Sequence, residues 1–93
     1  MILSTKGKLI DHVIAGRPGK GFPNGIFERA TDLLTAIDAA TQLDDLRFPP
    51  GNMLEALKGD RAGQHSVRIN KNWRFCFVWT QAGPVDVELT DYH

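Results

Sequence analysis

The chain has 93 residues, of which 42% are hydrophobic and 24% are charged, and its formal net charge at pH 7 is zero. This length predicts one domain over residues 1–93, with a core that buries roughly 60–65% of the surface of the unfolded chain. The apolar runs are too short for a membrane-spanning helix, and the N-terminus lacks the apolar region of a signal peptide. The single cysteine, Cys76, cannot form an internal disulfide. These properties predict a cytoplasmic protein.

Two amphipathic helices are predicted in the first half of the chain. Apolar residues at helical spacing indicate a first helix over residues 6–15, which ends at Gly16. A loop rich in glycine and proline follows over residues 16–25. A continuous apolar stripe then predicts a second helix over residues 26–41, with Asn24 as its N-cap.

The second half of the chain predicts an antiparallel sheet. Apolar and polar residues alternate in four segments, at residues 53–57, 65–69, 73–79 and 85–92, and residues 2–4 form a further short candidate strand. Asn70 to Asn72 forms a tight hairpin between two of these strands. The predicted fold is therefore α+β, with two N-terminal helices packed on one face of a curled antiparallel sheet of about four to five strands. The other face of the sheet is available for function.

Charge is segregated along the chain although the total is neutral. Residues 58–74 contain five basic residues and one acid, a net +4, whereas residues 21–57 contain two basic residues and six acids, a net −4. A basic block of this kind is typical either of a solvated face or of a surface that binds phosphate. Segregation alone does not distinguish these two interpretations.

Two arginines of the basic block are predicted to share one face of the sheet. Arg68 and Arg74 lie on neighbouring strands, and each alternates with the large apolar residues of its strand. Neighbours on one face lie ~4.5–8 Å apart, and arginine binds phosphate with two parallel hydrogen bonds. The alternative is a structural ion pair between Arg74 and Glu88, and the sequence is equally consistent with both.

The C-terminal residues are predicted to return to this basic patch. Antiparallel pairing brings the end of the last strand close to Arg74, where the previous strand begins. Three side chains capable of acid–base chemistry or base stacking, Asp91, Tyr92 and His93, therefore approach four cations, Lys58, Arg61, Arg68 and Arg74. A base, a cation and an acid are the groups that metal-independent RNA cleavage requires. Asp91 and His93 are both candidates for the base.

Two other chemistries are weaker hypotheses. A metal site could combine Asp91 and His93 with His65, but the spaced Cys/His set of a typical site is absent from the sequence. Cys76 could act as a nucleophile, but it lies in an aromatic strand and is expected to be packed. His12 is expected at the surface or boundary of the first helix.

The run LEALKGDRAGQHSVRINKNWRFCF, together with the terminal VELTDYH, closely resembles the HigB-type toxins of bacterial toxin–antitoxin modules, within the RelE-like superfamily. The resemblance extends over nearly the whole chain. It implies a microbial-ribonuclease-like fold and cleavage of messenger RNA in the ribosomal A site, without a metal or other cofactor. It also implies neutralisation by a HigA-type helix-turn-helix antitoxin, so that DNA is contacted only indirectly, through the antitoxin complex.

The resemblance also implies roles for individual residues. Arg74 matches the arginine at the scissile phosphate, and Asp91, Tyr92 and His93 match the C-terminal residues that contact and cleave RNA. Cleavage by attack of the ribose 2′-OH then yields a 2′,3′-cyclic phosphate. Lys58 and Arg61 match positions expected to meet the RNA backbone. Arg68 and Lys71, which belong to the same basic block, are also expected to bind RNA.

Three positions depart from the pattern of the family. Glu55 stands where some relatives have a catalytic histidine, and Met53 and Val78 stand where close relatives often have arginine. Fewer cations predict weaker phosphate binding. The first alternative to the nuclease is a DNA gyrase poison of the same fold, as in ParE-type proteins. The second alternative, motivated by Met53 and Val78, is an attenuated toxin that mainly binds the antitoxin.

Overall fold

The computed structural model describes residues 1–91 of the chain. Its helices and strands follow in the order β1 (Thr5–Lys6), α1 (Leu9–Ala15), α2 (Phe27–Ala39), β2 (Glu55–Ala56), β3 (His65–Arg68), β4 (Arg74–Thr80) and β5 (Gly83–Thr90). Between α2 and β3 lie short 3₁₀ turns at Leu43–Arg47, Pro50–Asn52 and Gly59–Arg61. In this part of the chain, no helix is long and apolar enough to cross a membrane.

The five strands form one sheet in the order β1-β5-β4-β3-β2. Strands β2 to β5 pair antiparallel with their neighbours, as predicted. Strand β1 pairs parallel to β5, with Thr5 opposite Val87, which the sequence did not predict. The α+β fold is confirmed, and the parallel pair at the edge makes the sheet mixed. A strand of two exposed residues is too short to carry an alternating pattern, which explains why the predicted position at residues 2–4 was wrong.

One face of the sheet and the two helices enclose the core. The buried residues of this cluster include Val67, Phe75, Phe77, Val87 and Leu89 from the sheet, Ile10 and Val13 from α1, and Ala30, Leu33, Leu34 and Ile37 from α2. The strand residues follow a period of two and the helix residues a period of 3.6, so the core pattern was legible in the sequence. Burying each large side chain contributes about 1.5–3 kcal/mol. The alternate strand residues project from the opposite face.

Different interactions fix the end of α1 and the start of α2. Gly16 adopts a left-handed conformation, with φ of 82°, and its N–H donates to the carbonyl of Val13, which confirms the predicted helix end. The predicted N-cap at Asn24 is wrong, because α2 begins after Ile26 and no side chain caps it. Ile26 is only 2% exposed, so core packing rather than a capping hydrogen bond fixes the start of α2.

A carboxylate organises the chain directly after α2. The carboxylate of Asp45 accepts hydrogen bonds from the backbone N–H groups of Thr41 and Gln42, at 3.0 and 3.3 Å, and from the Thr41 hydroxyl. These bonds stabilise the ionised form and hold the pKa of Asp45 below its usual range. The reciprocal bonding between Gln42 and Asp45 forms a capping box that begins the turn at Leu43–Arg47.

Asn52 joins this segment to α2 and to the sheet. It is 1% exposed, and its amide nitrogen donates to the carbonyls of Leu46 and Phe48, at 3.1 and 3.0 Å. Its amide oxygen accepts from Arg29 of α2 at 3.0 Å. Arg29 also donates to the backbone carbonyl of Arg68 at 3.3 Å. The Asn52–Arg29 contact therefore connects the segment that precedes β2 to the end of β3.

The predicted strand over residues 53–57 is confirmed only at its centre. Met53 adopts a left-handed conformation, with φ of 49°, so regular strand geometry begins only at Glu55. The hairpin at residues 70–72 is confirmed, because the Asn70 side chain accepts from the N–H groups of Asn72 and Trp73, both at 2.8 Å. This turn aligns Arg68 with Arg74.

Candidate active site

The sheet face opposite the core carries a row of side chains that crosses all five strands. Lys6 of β1 pairs with Glu88 of β5, which pairs with Cys76 of β4. Cys76 in turn pairs with Ser66 of β3, and Ser66 pairs with Glu55 of β2. Directly paired residues project from the same face, and neighbouring strands lie ~4.8 Å apart. We call these five residues the central row.

A second row lies two residues further along the strands. In it, Arg74 of β4 lies between Arg68 of β3 and Thr90 of β5. The prediction that the two arginines share a face is confirmed. The guanidinium of Arg74 donates through Nη1 to the hydroxyl of Ser66 at 3.3 Å, so it extends from the second row towards the central row on the β3 side.

Arg61 reaches the same face from the turn at Gly59–Arg61. Its Nη1 lies 3.2 Å from Oε1 of Glu88 and 3.1 Å from Oε1 of Gln64, and the Arg61 and Glu88 side chains are 23% and 22% exposed. The alternative ion pair between Arg74 and Glu88 is wrong, because Glu88 lies opposite Cys76 and Thr90 lies opposite Arg74. The partner of Glu88 thus comes from outside the sheet, which strand alternation alone cannot reveal.

Two inner residues of the central row are fully buried. Ser66 and Cys76 have no exposed surface. Burial raises the pKa of the Cys76 thiol, and the nearby Glu88 carboxylate acts in the same direction, while Arg61 and Arg74 oppose it. The thiol is therefore packed and protonated at neutral pH, in agreement with the expectation that Cys76 is not a nucleophile.

Strand β5 ends at the second row. Its last residue, Thr90, pairs with Arg74, which confirms the predicted return of the chain to this arginine. Asp91 follows Thr90 directly and is exposed. Tyr92 and His93, the other two predicted catalytic residues, lie outside the described residues.

The two lysines predicted to bind RNA lie in the segments that flank β3 in the sequence. Lys58 directly precedes the turn that carries Arg61, and Lys71 lies in the hairpin that joins Arg68 to Arg74. Both lysine side chains are exposed and are available to a ligand. Neither makes a hydrogen bond or ion pair within residues 1–91.

His65 and His12, the two histidines within residues 1–91, lie away from the arginine-bearing face. His65 pairs with Phe77 and thus belongs to the core side of the sheet, away from Arg74, and its buried Nδ1 lacks a hydrogen-bond partner. His12 accepts a hydrogen bond from the N–H of Gly19 at 3.0 Å and packs edge-on against Phe22, as expected of a boundary residue. Within residues 1–91 there is no group of three or more His, Cys, Asp or Glu that could hold a metal ion.

The contacts that Ser66 and Glu88 make on this face were not predicted from the sequence. Ser66 alternates with Val67 and so lies on the same face as Arg68, but nothing in the sequence indicates that its hydroxyl meets Arg74. Contacts of this kind depend on side-chain length and on the twist of the sheet. These contacts can be recognised only from the strand register together with the position of the turn at Gly59–Arg61.

Comparisons with known proteins agree with this architecture. A family model described as "RelE-like toxin of type II toxin-antitoxin system HigB" matches residues 16–93. A Proteus vulgaris protein named "Endoribonuclease HigB" is 33% identical over 93 residues, which cover 100% of both chains. "Toxin HigB-1" of Vibrio cholerae serotype O1 is 43% identical over 66 residues, or 71% of this chain and 65% of the relative. The match with the Vibrio protein thus spans less than two thirds of its length.

The family model covers most of the chain, and the Proteus relative is similar from end to end. The α+β fold is the one that the resemblance implied, and the arginine-bearing face is the one that strand alternation predicted. The chain therefore belongs to the HigB family of RelE-like toxins of type II toxin–antitoxin systems.

Proposed function

We propose that the chain is a ribosome-dependent endoribonuclease that cleaves messenger RNA in the A site and so inhibits translation. The observation that carries this proposal is the alignment of Arg68 with Arg74 on an open sheet face, with the Arg61 guanidinium held over the same face. Guanidinium groups bind phosphate and stabilise the charge that develops during its transfer. The relative named as an endoribonuclease, similar over its whole length, supports the same activity.

Arg74 is the proposed contact to the scissile phosphate. Its guanidinium is already fixed at one nitrogen by Ser66, which leaves its remaining N–H groups for phosphate oxygens. The neighbouring phosphates of the message bind the other proposed cations, Lys58, Arg61, Arg68 and Lys71. The proposed proton-transfer and base-stacking groups are the C-terminal residues Asp91, Tyr92 and His93.

The proposed reaction needs a base, a cation and an acid. A base removes the proton of the ribose 2′-OH, and the 2′-oxygen forms a bond to the adjacent phosphorus. The bond from phosphorus to the 5′-oxygen breaks, and an acid gives that oxygen a proton. The products are a 2′,3′-cyclic phosphate and a 5′-hydroxyl. Each step is a proton transfer or a charge stabilisation that side chains can supply without a metal.

The experiment compares Arg74→Ala with Arg17→Ala, which removes an exposed arginine from the loop after α1. We expect the first variant to lose growth inhibition and to cleave messages on translating ribosomes at least about 100-fold more slowly. Arg17→Ala should behave like the unaltered chain. Removal of His93 should also relieve growth inhibition. Equal toxicity of all variants would mean that the site is wrongly assigned.

Toe-printing of the same ribosomes separates the alternatives. Cuts within the A-site codon support the nuclease. Intact messages together with DNA breaks would instead identify a gyrase poison. Intact messages without growth inhibition would identify an attenuated toxin, a possibility motivated by Met53, which is 50% exposed where relatives often have arginine.

Membership of a type II toxin family implies an antitoxin partner. We propose a HigA-type helix-turn-helix protein for this role, encoded beside the toxin and active with it in the cytoplasm. Co-expression of the neighbouring reading frame should restore growth and yield a complex that co-purifies. Failure of that frame to restore growth would exclude it as the antitoxin.

A further inference from the structure

A carboxylate lies in the middle of the face that is proposed to bind phosphate. Glu88 occupies the β5 position of the central row, between Lys6 of β1 and Cys76 of β4, and its side chain is 22% exposed. A negative charge at this place repels the phosphates of RNA. The position of Glu88 is therefore unfavourable for RNA binding unless the carboxylate performs another function.

The Glu88 carboxylate is bound to Arg61. Its Oε1 accepts a hydrogen bond from Nη1 of Arg61 at 3.2 Å, and Oε1 of Gln64 accepts one from the same nitrogen at 3.1 Å. Within residues 1–91, the ion pair of Glu88 is with Arg61 and not with Lys6, its register neighbour. One acceptor from β5 and one from the segment before β3 thus hold the same guanidinium nitrogen. We call Glu88 and Gln64 the clamp.

The turn that carries Arg61 does not by itself fix the direction of the arginine side chain. It is a short 3₁₀ turn at Gly59–Arg61, and both Gly59 and Gly63 have positive φ angles, of 65° and 94°. The Gln64 N–H donates to the Arg61 carbonyl at 3.0 Å, which closes the backbone but does not involve the guanidinium. Arginine has many rotamers, and holding it in one of them costs conformational entropy. The clamp selects the rotamer that lies over the sheet.

The clamp places Arg61 close to Arg74. The Arg74 guanidinium reaches Ser66 in the central row at 3.3 Å, and Cys76 lies between Ser66 and Glu88 in that row. Burial raises the pKa of the Cys76 thiol, and the charges of Arg61, Glu88 and Arg74 act on it as well. The two guanidinium groups therefore surround one point of the face, where they can bind neighbouring phosphates of one RNA strand.

We infer that Glu88 is a positioning residue of the nuclease, which together with Gln64 fixes Arg61 where it binds the phosphate next to the one that Arg74 contacts. The inference rests on the proposed function. Glu88 acts through Arg61 and not on RNA directly, and the contact of the fixed arginine outweighs the repulsion from the carboxylate. Because the clamp forms before RNA arrives, the entropic cost of ordering the arginine is met during folding instead of during binding.

The test is a double-mutant cycle, in which message cleavage is measured against the concentration of programmed ribosomes. It combines Glu88→Gln, Arg61→Ala and the variant with both changes. Glutamine keeps the shape of the glutamate side chain and removes its charge. Glu28→Gln is the matched control, because Glu28 is an exposed carboxylate in the first turn of α2, away from this face.

Glu88→Gln should raise the half-saturating ribosome concentration about 10-fold, although it removes a negative charge from the face, because Arg61 is no longer held in place. The cleavage rate at saturation should change much less, since the proposed contact to the scissile phosphate belongs to Arg74. Glu28→Gln should match the unaltered chain in both quantities.

The same substitution should have the opposite effect once Arg61 is absent. In the Arg61→Ala background the carboxylate has no guanidinium to hold, and only its repulsion of phosphate remains. Glu88→Gln should then lower the half-saturating concentration. A role of Glu88 in stability alone does not produce this reversal of sign.

Glu88→Asp provides a second measure of the clamp. It keeps the charge but draws the carboxylate back from Arg61 by one methylene, so it should bind programmed ribosomes at least as weakly as Glu88→Gln. Circular dichroism should show native melting for both variants, because a partly exposed ion pair contributes little to stability.

Three results would overturn the inference. If Glu88→Gln cleaves as well as the unaltered chain or better, the carboxylate only repels RNA, and the nuclease function stands. If Glu88→Gln weakens binding equally with and without Arg61, Glu88 does not act through this arginine, and the nuclease function again stands. If the unaltered chain does not cleave ribosome-bound messages, the proposed function fails and the role of Glu88 fails with it.

Discussion

Replacing Asn52 with alanine is expected to lower the free energy of unfolding by about 3 kcal/mol. The amide makes one hydrogen bond to the charged Arg29 and two to the carbonyls of Leu46 and Phe48. A bond to a charged group contributes about 1.5–3 kcal/mol and each neutral bond about 0.5–1.5 kcal/mol. The sum is at least about 2.5 kcal/mol, and Arg29 keeps its second bond, to Arg68, which limits the loss.

This loss is large for a chain of 93 residues. Native domains are stable by about 0.05–0.15 kcal/mol per residue, so the whole chain has roughly 5–14 kcal/mol. At about 4–8 °C per kcal/mol, the melting temperature should fall by roughly 12–24 °C. Circular dichroism during thermal and urea unfolding measures both quantities.

The matched control is Asn24→Ala, since Asn24 is exposed and caps no helix. Its free energy of unfolding should change by less than about 0.5 kcal/mol. The reasoning is refuted if the two variants lose similar stability, or if Asn52→Ala costs less than about 1 kcal/mol. Either result would mean that water replaces the three bonds of Asn52 without penalty.

Three further perturbations test the core, the buried thiol and the turn after α2. Phe75→Ala should cost about 3–5 kcal/mol in urea unfolding, because a side chain with no exposed surface leaves a cavity; a cost below about 1 kcal/mol would show that the site collapses. Cys76 should react with iodoacetamide far more slowly in the native protein than in urea, because burial raises its pKa, and equal rates would contradict that packing. Asp45→Asn should lower the melting temperature most near neutral pH. The lowered pKa of Asp45 gives stability that is complete above its unfolded value and is lost as the pH falls through the folded value, so the difference should shrink in acid. A difference that stays constant with pH would contradict this origin.

The sequence was sufficient for those features that repeat along the chain. The alternation of Arg74, Phe75 and Cys76 predicted both the core face and the arginine face, and the hairpin at Asn70 predicted their register. The apolar stripe of α2 predicted its burial. Periodic features are predictable because many residues report the same geometry.

Features that depend on a single residue were missed or misassigned. Asn24 looked like an N-cap, but two residues separate it from α2, and the buried side chain of Ile26 fixes the helix start. The alternative ion pair between Glu88 and Arg74 rested on the adjacency of their strands, whereas Arg61 reaches Glu88 from a turn outside the sheet. The left-handed conformation of Met53, which shortens β2, also lacks a sequence pattern.

The parallel pairing of β1 with β5 has a consequence for how the site assembles. Ser4 and Asp86, which hold this edge together by a 2.8 Å bond from the Asp86 N–H to the Ser4 hydroxyl, are 82 positions apart in the chain. Closing so long a loop carries an entropic cost that early folding contacts must first offset, so pairs of this kind form late. Lys6 and Glu88 thus come together only when nearly the whole chain is ordered, and Glu88 is the residue that holds Arg61. A partly folded toxin would expose hydrophobic surface to proteases and chaperones before it possessed a complete arginine-bearing face.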